Sequence, residues 1–301
     1  MVAPLRIATR GSVLARWQAE RVAALLGVDA ELVIVSTKGD ERRDVEIHRL
    51  GGQGVFVKEV EQAVLDGRAD LAVHSAKDLP STTEAGLVLA AVPERADPRD
   101  ALVGCSLDGL PTGGRVATGS VRRRAQLASL RPDLQFTGLR GNLDTRLARV
   151  HDRDDPVDAV VVAAAALDRL GRADEAAEVL EPEVLLPQVA QGALAVECRA
   201  DDETTHKILA AIDDATVHRC VRAERAFLAE LGGGCDLPVG ALAHIDDGEL
   251  ALRVLLASLD GVRVVRAHAR GTEPEATGRA AAVALLDGAG GRALLDEEAI
   301  A

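Results

Sequence analysis

Four times in its first 142 residues the chain runs a short apolar stretch into a turn rich in hydroxyl, amide and charged side chains. Residues 5–9 lead into Arg10-Gly11-Ser12, and residues 69–74 into Ser75-Ala76-Lys77-Asp78, closed by Pro80. Val116 and Ala117 lead into Thr118-Gly119-Ser120, and Leu139 into Arg140-Gly141-Asn142. The first, third and fourth turns are followed by helical patterns. In the first, Leu14, Trp17, Val22, Leu25 and Leu26 share half a helical wheel as far as Gly27, with Ser12 placed to cap it. Strand, turn, helix and strand in succession build an α/β domain, and open α/β sheets bind ligands beyond the carboxyl ends of their strands. Arg10 and Ser12 stand at such an end, although a capping serine and a solvated arginine account for them equally well. Asp78 could cap the next turn or pair with Lys77, an exposed pair worth little. Four functional side chains within residues 74–78 are nonetheless too dense for a plain connector.

Two proline-bearing stretches divide the chain. Pro93 to Pro98 is a polar crossing, and 185–192 is a second; residues 193–198 then alternate like a strand returning to the first sheet. The unbroken apolar run 159–163 reads as a buried parallel strand. The fold class expected is therefore α/β. One lobe spans 1–94 with 193–212 and another 98–187, their mixed sheets joined by hinge crossings, and a small C-terminal α+β domain spans 215–301. In that last domain a helix is expected over 216–230, hairpin strands over 249–258 and 262–269 around Asp260-Gly261, and a helix over 276–286. Residues 38–50 read as a loop, and Phe56, Val60 and Val64 mark a further helix.

The net charge of −13 makes nucleic acid an unsuitable partner, and an aromatic content of 1% with no tyrosine removes the usual base-stacking platform. The longest apolar run, 159–167, falls far short of the roughly 20 residues that span a bilayer. No secretory pattern opens the sequence, and the four cysteines (Cys105, Cys198, Cys220, Cys235) include no CxxC pair, so neither a zinc site nor a disulfide framework is expected. These features point to a cytoplasmic protein without membrane, nucleic-acid or metal partners. Against the acidic background the arginines cluster in turns. Arg122, Arg123 and Arg124 occupy the first turn of a helix, where positive charge adds unfavourably to the helix dipole unless an anion binds there. A cleft for a small polyanion follows.

The stretch Leu231-Gly232-Gly233-Gly234-Cys235-Asp236-Leu237-Pro238 places a cysteine at the tip of a tight loop. An isolated cysteine of this kind is more often a stray thiol than an attachment point. The company it keeps argues for attachment. Arg6-Ile-Ala-Thr-Arg-Gly-Ser12, Val73-His-Ser-Ala-Lys-Asp78, Asp97-Pro-Arg-Asp100, Leu139-Arg-Gly-Asn142, Ala190-Gln-Gly-Ala193 and Gly233-Gly-Cys235 together resemble the hydroxymethylbilane synthase (porphobilinogen deaminase) family, in its order and spacing over most of the chain. After about Ala243 the likeness is one of pattern.

The resemblance implies two periplasmic-binding-protein-like lobes and a third, cofactor-carrying domain. It implies a transferase that joins four porphobilinogen molecules head to tail, releasing four ammonia molecules and, by hydrolysis, hydroxymethylbilane for tetrapyrrole and haem biosynthesis. A dipyrromethane cofactor would be attached through Cys235. Asp78 matches the catalytic aspartate. Ser75, Lys77, Thr118, Ser120, Arg122, Arg123, Arg140, Gly141 and Arg146 match cofactor-binding positions, and Arg10, Ser12, Arg169 and Gln191 substrate-binding ones. A monomer is expected. Two positions depart from the family's pattern: Gln53 stands where lysine is frequent, and Gly119 where serine is common. The rival reading is a non-catalytic, periplasmic-type carboxylate-binding protein, which explains an arginine-lined cleft but neither Asp78 nor the glycine-flanked Cys235.

Overall fold

The computed structural model describes residues 4–37, 54, 56–232 and 237–298. Along the chain come β1 (Leu5–Arg10), α1 (Val13–Leu26), β2 (Ala30–Val35), α2 (Lys58–Leu65), β3 (Leu71–Ser75) and β4 (Leu87–Ala91). Next are β5 (Asp100–Val103), β6 (Arg115–Ala117), α3 (Val121–Leu130), β7 (Gln135–Thr137), α4 (Leu143–Ala148), β8 (Ala159–Ala163), α5 (Ala164–Arg169) and β9 (Ala176–Leu180). The chain then continues through β10 (Leu194–Arg199), α6 (Glu203–Leu209), α7 (Ala215–Glu230), β11 (Val239–Asp246), β12 (Glu249–Ala257), β13 (Val264–Gly271), α8 (Pro274–Val283) and α9 (Gly291–Glu298). They fall into two compact units, residues 1–96 with 193–218, and residues 97–192 with 219–301.

In the first unit the sheet order is β2-β1-β3-β10-β4. β1 is parallel to β2 and β3, whereas β10 runs antiparallel to both β3 and β4. The return strand expected at 193–198 is β10, and it lies inside the sheet rather than at its edge. Helix α1 buries Ala19 and Val22 against Ile7, Leu71, Val73 and Val196 on one face. On the other face α2 buries Val60, Ala63 and Val64 against Ala8 and Ala72. Of the residues that mark α1 in the sequence, Val22 is buried, Leu14, Trp17 and Leu26 are half-buried and Leu25 is exposed, while Gln18 and Ala19 complete the buried face. Ser12 caps α1, its hydroxyl accepting from the Ala15 amide at 3.2 Å, and Gly27 ends it in the left-handed region at φ 63°.

The second unit repeats the plan. Its sheet order is β7-β6-β8-β5-β9, with β6 parallel to β7 and β8, and β5 antiparallel to β8 and β9. Both lobes thus share one topology: two parallel strands flank the first strand of the βαβ pattern, and one antiparallel strand is inserted beside them. Residues 159–163 are buried throughout, as expected, but β8 is parallel on one side only. Its other neighbour, β5, enters the sheet directly from the 93–98 crossing rather than by a helical crossover, so it can run the opposite way.

A three-stranded antiparallel sheet, β11-β12-β13, completes the second unit. The hairpin expected around Asp260-Gly261 is present as β12 and β13. The strand pairing with it, β11, was not expected: Val239-Gly-Ala-Leu-Ala carries only small or aliphatic residues and no clear alternation. Helix α8 packs on this sheet and so closely against α7 that a Cβ at Gly278 would lie 2.4 Å from the Ala223 carbonyl oxygen.

Candidate active site

The first unit presents the ends of β1 and β3. Ser75 closes β3, a single 3-10 turn carries Ala76–Asp78, and Pro80 stops it. The amide of Ala76 donates to the Ala193 carbonyl at 3.0 Å, which fixes the start of the turn. A small pocket is lined here by Arg10, Gln18, Phe56, His74, Ser75 and Asp78. Phe56, read from the sequence as part of a helix, instead precedes α2 and places its ring 4.1 Å beneath the Arg10 guanidinium carbon. Stacking on the ring fixes the cation at the pocket wall.

Asp78 is half-buried and forms no hydrogen bond or ion pair among the described residues. Neither structural alternative, a cap or a pair with Lys77, is present. A carboxylate held at a pocket wall without an internal partner is available as a base or to stabilise a cation. Behind it, on β10, fully buried Glu197 reaches to 3.4 Å from Nε2 of His74. Nothing in the sequence singles out Glu197, whereas His74 stands in the dense 74–78 turn.

The second unit presents the ends of β6 and β8 and the turn before β10. Ser120 caps α3, its hydroxyl accepting from the Arg123 amide at 3.4 Å, while the Thr118 hydroxyl accepts from the Ser120 amide at 3.1 Å. Arg122 and Arg123, at the start of α3, turn inward to Asp100, the first residue of β5. Arg122 Nη1 donates to Asp100 Oδ2 at 2.8 Å and to the Leu186 carbonyl at 2.8 Å. Arg123 Nε donates to Asp100 Oδ1 at 2.9 Å, and its Nη1 to the Val161 carbonyl at 3.0 Å. Gln191 adds a donor to Asp100 at 2.9 Å.

The anion inferred from arginines at a helix N-terminus is therefore, in the first place, a residue of this chain. It does not complete the balance. Two guanidiniums against one carboxylate leave one positive charge, with Arg122 at 2% and Arg123 at 6% exposure and Asp100 fully buried. Arg122 Nε and Nη2 have no hydrogen-bond partner. Burial pulls the Arg122 guanidinium below its usual basicity, opposed only in part by Asp100, and that same pair of cations holds Asp100 well below the usual carboxylate range.

Arg169 ends α5 and is also buried; its Nη2 donates to the Gly192 carbonyl at 2.7 Å, and desolvation brings its pKa down to about 10. Arg140 is half-buried and forms no hydrogen bond or ion pair with any described residue. Arg146 donates from Nε to the Gly141 carbonyl at 2.9 Å. Gly141 has φ 94°, and a Cβ there would lie 2.9 Å from Thr145, so only glycine suits this turn. Gln191 follows Ala190, whose φ of 58° is strained for a residue with a side chain and is held by a 2.6 Å hydrogen bond from its amide to buried Glu224.

Gly119, noted above as a departure, has a local cause. A Cβ at 119 would stand 2.6 Å from the Leu139 carbonyl oxygen. Gly119→Ser is expected to force the β6 and β7 turns apart and to cost about 1–3 kcal/mol, measured by urea denaturation.

Cys235 and Gln53 lie outside the described residues. Of the other cysteines, Cys198 and Cys220 are buried, and desolvation pushes the Cys198 thiol up to about 11, which makes it a poor nucleophile. Among the described residues no group of side chains could hold a metal ion, and no helix is long and apolar enough to cross a membrane.

The two lobes define a class: a mixed α/β protein with Asp78 at a small pocket of one lobe and a buried arginine pair at the strand ends of the other. Comparison with known proteins narrows this. Residues 5–207 match the family model described as porphobilinogen deaminase, dipyromethane cofactor binding domain, and residues 218–287 match its C-terminal domain. The chain is 49% identical to the porphobilinogen deaminase of Roseiflexus sp. (strain RS-1), over 97% of this chain and 98% of the relative. It is 43% identical to that of Syntrophobacter fumaroxidans, over 97% of each. An arginine-specific periplasmic binding protein of Salmonella typhimurium overlaps 70% of this chain and 92% of its own at 12% identity and a TM-score of 0.38, too slight a likeness to bear on function. The chain belongs to the porphobilinogen deaminase family. Membership makes it an enzyme, a transferase of tetrapyrrole biosynthesis, and sets aside the reading as a non-catalytic binding protein.

Proposed function

We propose that this chain condenses four porphobilinogen molecules head to tail and releases hydroxymethylbilane, with Asp78 as the catalytic group and a dipyrromethane cofactor on Cys235. The observation that carries the reading is the buried arginine pair, which holds one positive charge beyond what Asp100 balances, with two Arg122 nitrogens unpartnered. A dipyrromethane fits these residues because its acetate and propionate groups are planar acceptors, and guanidinium donors match them in pairs. When bound, it supplies the free pyrrole carbon to which the first substrate is joined.

The residues of the chain do the rest. Thr118, Ser120, Arg122, Arg123, Arg140, Gly141 and Arg146, with Ser75 and Lys77, would bind cofactor carboxylates. Arg10, Ser12, Arg169 and Gln191 would bind those of incoming porphobilinogen. Asp78 would stabilise the cation left when the amine of the aminomethyl arm departs as ammonia and the methylene stays on the ring, and would then take the α-proton after coupling. Assignment of Cys235 is supported by its three preceding glycines and by the burial of Cys198 and Cys220; Cys105 is half-buried and has no such glycine run before it. The reading also carries a cytoplasmic monomer acting on a small molecule, without nucleic-acid or membrane partners. It divides the chain at 1–94 with 193–212, 98–187, and a cofactor-carrying 215–301.

The test is direct. Purified protein given porphobilinogen should consume it and release one ammonia per substrate, with hydroxymethylbilane appearing as one molecule per four consumed. Binding of porphobilinogen without ammonia release would overturn the assignment.

A further inference from the structure

Asp100 closes the stretch Asp97-Pro98-Arg99-Asp100. It is fully buried, and it is the common acceptor for Arg122, Arg123 and Gln191. These three come from two different segments, the start of α3 and the turn before β10, and meet on the first residue of β5. Each arginine also reaches a main-chain carbonyl, Leu186 for Arg122 and Val161 for Arg123. The donors that remain are Arg122 Nε and Nη2. A charge partner that occupies part of each guanidinium fork fixes which edge stays open.

We propose that Asp100 is a positioning residue for the reaction: it fixes Arg122 and Arg123 as a pair of net charge +1 and so restricts them to a single ligand carboxylate. The inference rests on the assignment of these arginines to the cofactor. Two guanidiniums without Asp100 would attract two carboxylates or none in register, because burial penalises a second uncompensated charge. One carboxylate of the chain and one of the ligand bring the cluster to neutrality. Asp100 thus acts through the arginines and touches no reacting atom.

The experiment compares Asp100→Asn, Asp100→Ala and the double variant Arg122→Lys/Arg123→Lys with the unaltered chain. Three readouts are taken: cofactor occupancy by intact mass, KM and kcat for porphobilinogen, and melting temperature. Asp100→Asn keeps the volume and one acceptor, so it is expected to fold, with occupancy reduced at least fivefold. Asp100→Ala opens a carboxylate-sized space. Sodium formate at tens of millimolar is expected to raise its occupancy during expression-free reconstitution with porphobilinogen, whereas equal sodium chloride leaves it low. A merely structural role would lower the melting temperature of both variants, with full occupancy, unchanged KM and no response to formate; that result overturns the proposal. Normal occupancy in the double lysine variant would instead overturn the cofactor assignment on which the proposal rests.

Discussion

Replacing Asp78 with asparagine is expected to leave a folded protein whose turnover of porphobilinogen falls at least about a hundredfold. Loss of a general acid or base typically costs ~10²–10⁴-fold, and loss of cation stabilisation adds to that. The structure makes the folding half of this expectation firm. Asp78 is half-buried and has no hydrogen bond or ion pair among the described residues, so asparagine leaves no donor stranded. A capping aspartate would tolerate the change, since asparagine caps about as well. The 3-10 turn that presents Asp78 is held by main-chain bonds of Ala76 and Leu79, which the substitution does not touch. Asp78→Glu should retain more activity, because the charge persists and only its placement shifts. The measurement is porphobilinogen consumption by protein already carrying cofactor. Near-normal turnover in Asp78→Asn would assign proton transfer to another group, His74 in the same pocket being the nearest alternative to examine.

Arg122→Leu and Arg140→Leu should both impair cofactor assembly and chain elongation, by about 2–5 kcal/mol in binding when a desolvated carboxylate loses its partner. They should differ sharply in stability. Arg122 is buried, so its removal deletes its hydrogen bonds to Asp100 and the Leu186 carbonyl and should lower folding stability by about 1–3 kcal/mol, while Asp100 keeps Arg123 as its charge partner. Arg140 bonds to no described residue, so Arg140→Leu should change stability by no more than about 0.5 kcal/mol. Arg140 is therefore the cleaner probe of ligand binding. Urea denaturation read beside cofactor occupancy separates the two effects. Full occupancy in both variants would rule out a cationic site for the cofactor.

Much of this arrangement is legible in the sequence because it is written in periodic or local signals. The helix from Val13 to Leu26, the capping Ser12 and the hairpin around Asp260-Gly261 each reflect a structure formed within a dozen or so residues. The compact units divide at 96/97, within the first proline-bearing crossing, at 192/193, just after the second, and at 218/219, inside α7, where no sequence signal marks a division. Long-range pairing is harder to read. That β10 lies between β3 and β4, and that β5 is antiparallel to β8, depends on segments a hundred or sixty residues away. The arginine pair was legible as cationic, but its partner was not: Asp100 resembles any aspartate at a strand start until burial is known. Phe56 likewise fits the apolar pattern of a helix, and only the fold brings it beneath Arg10.

The central claim is that this chain builds its product on a covalent dipyrromethane attached at Cys235. Intact mass of the purified, active protein tests it most directly. The mass should exceed that of the 301-residue sequence by one dipyrromethane, and Cys235→Ser should remove both the excess and the activity. An active wild-type protein with the unmodified sequence mass would contradict the account.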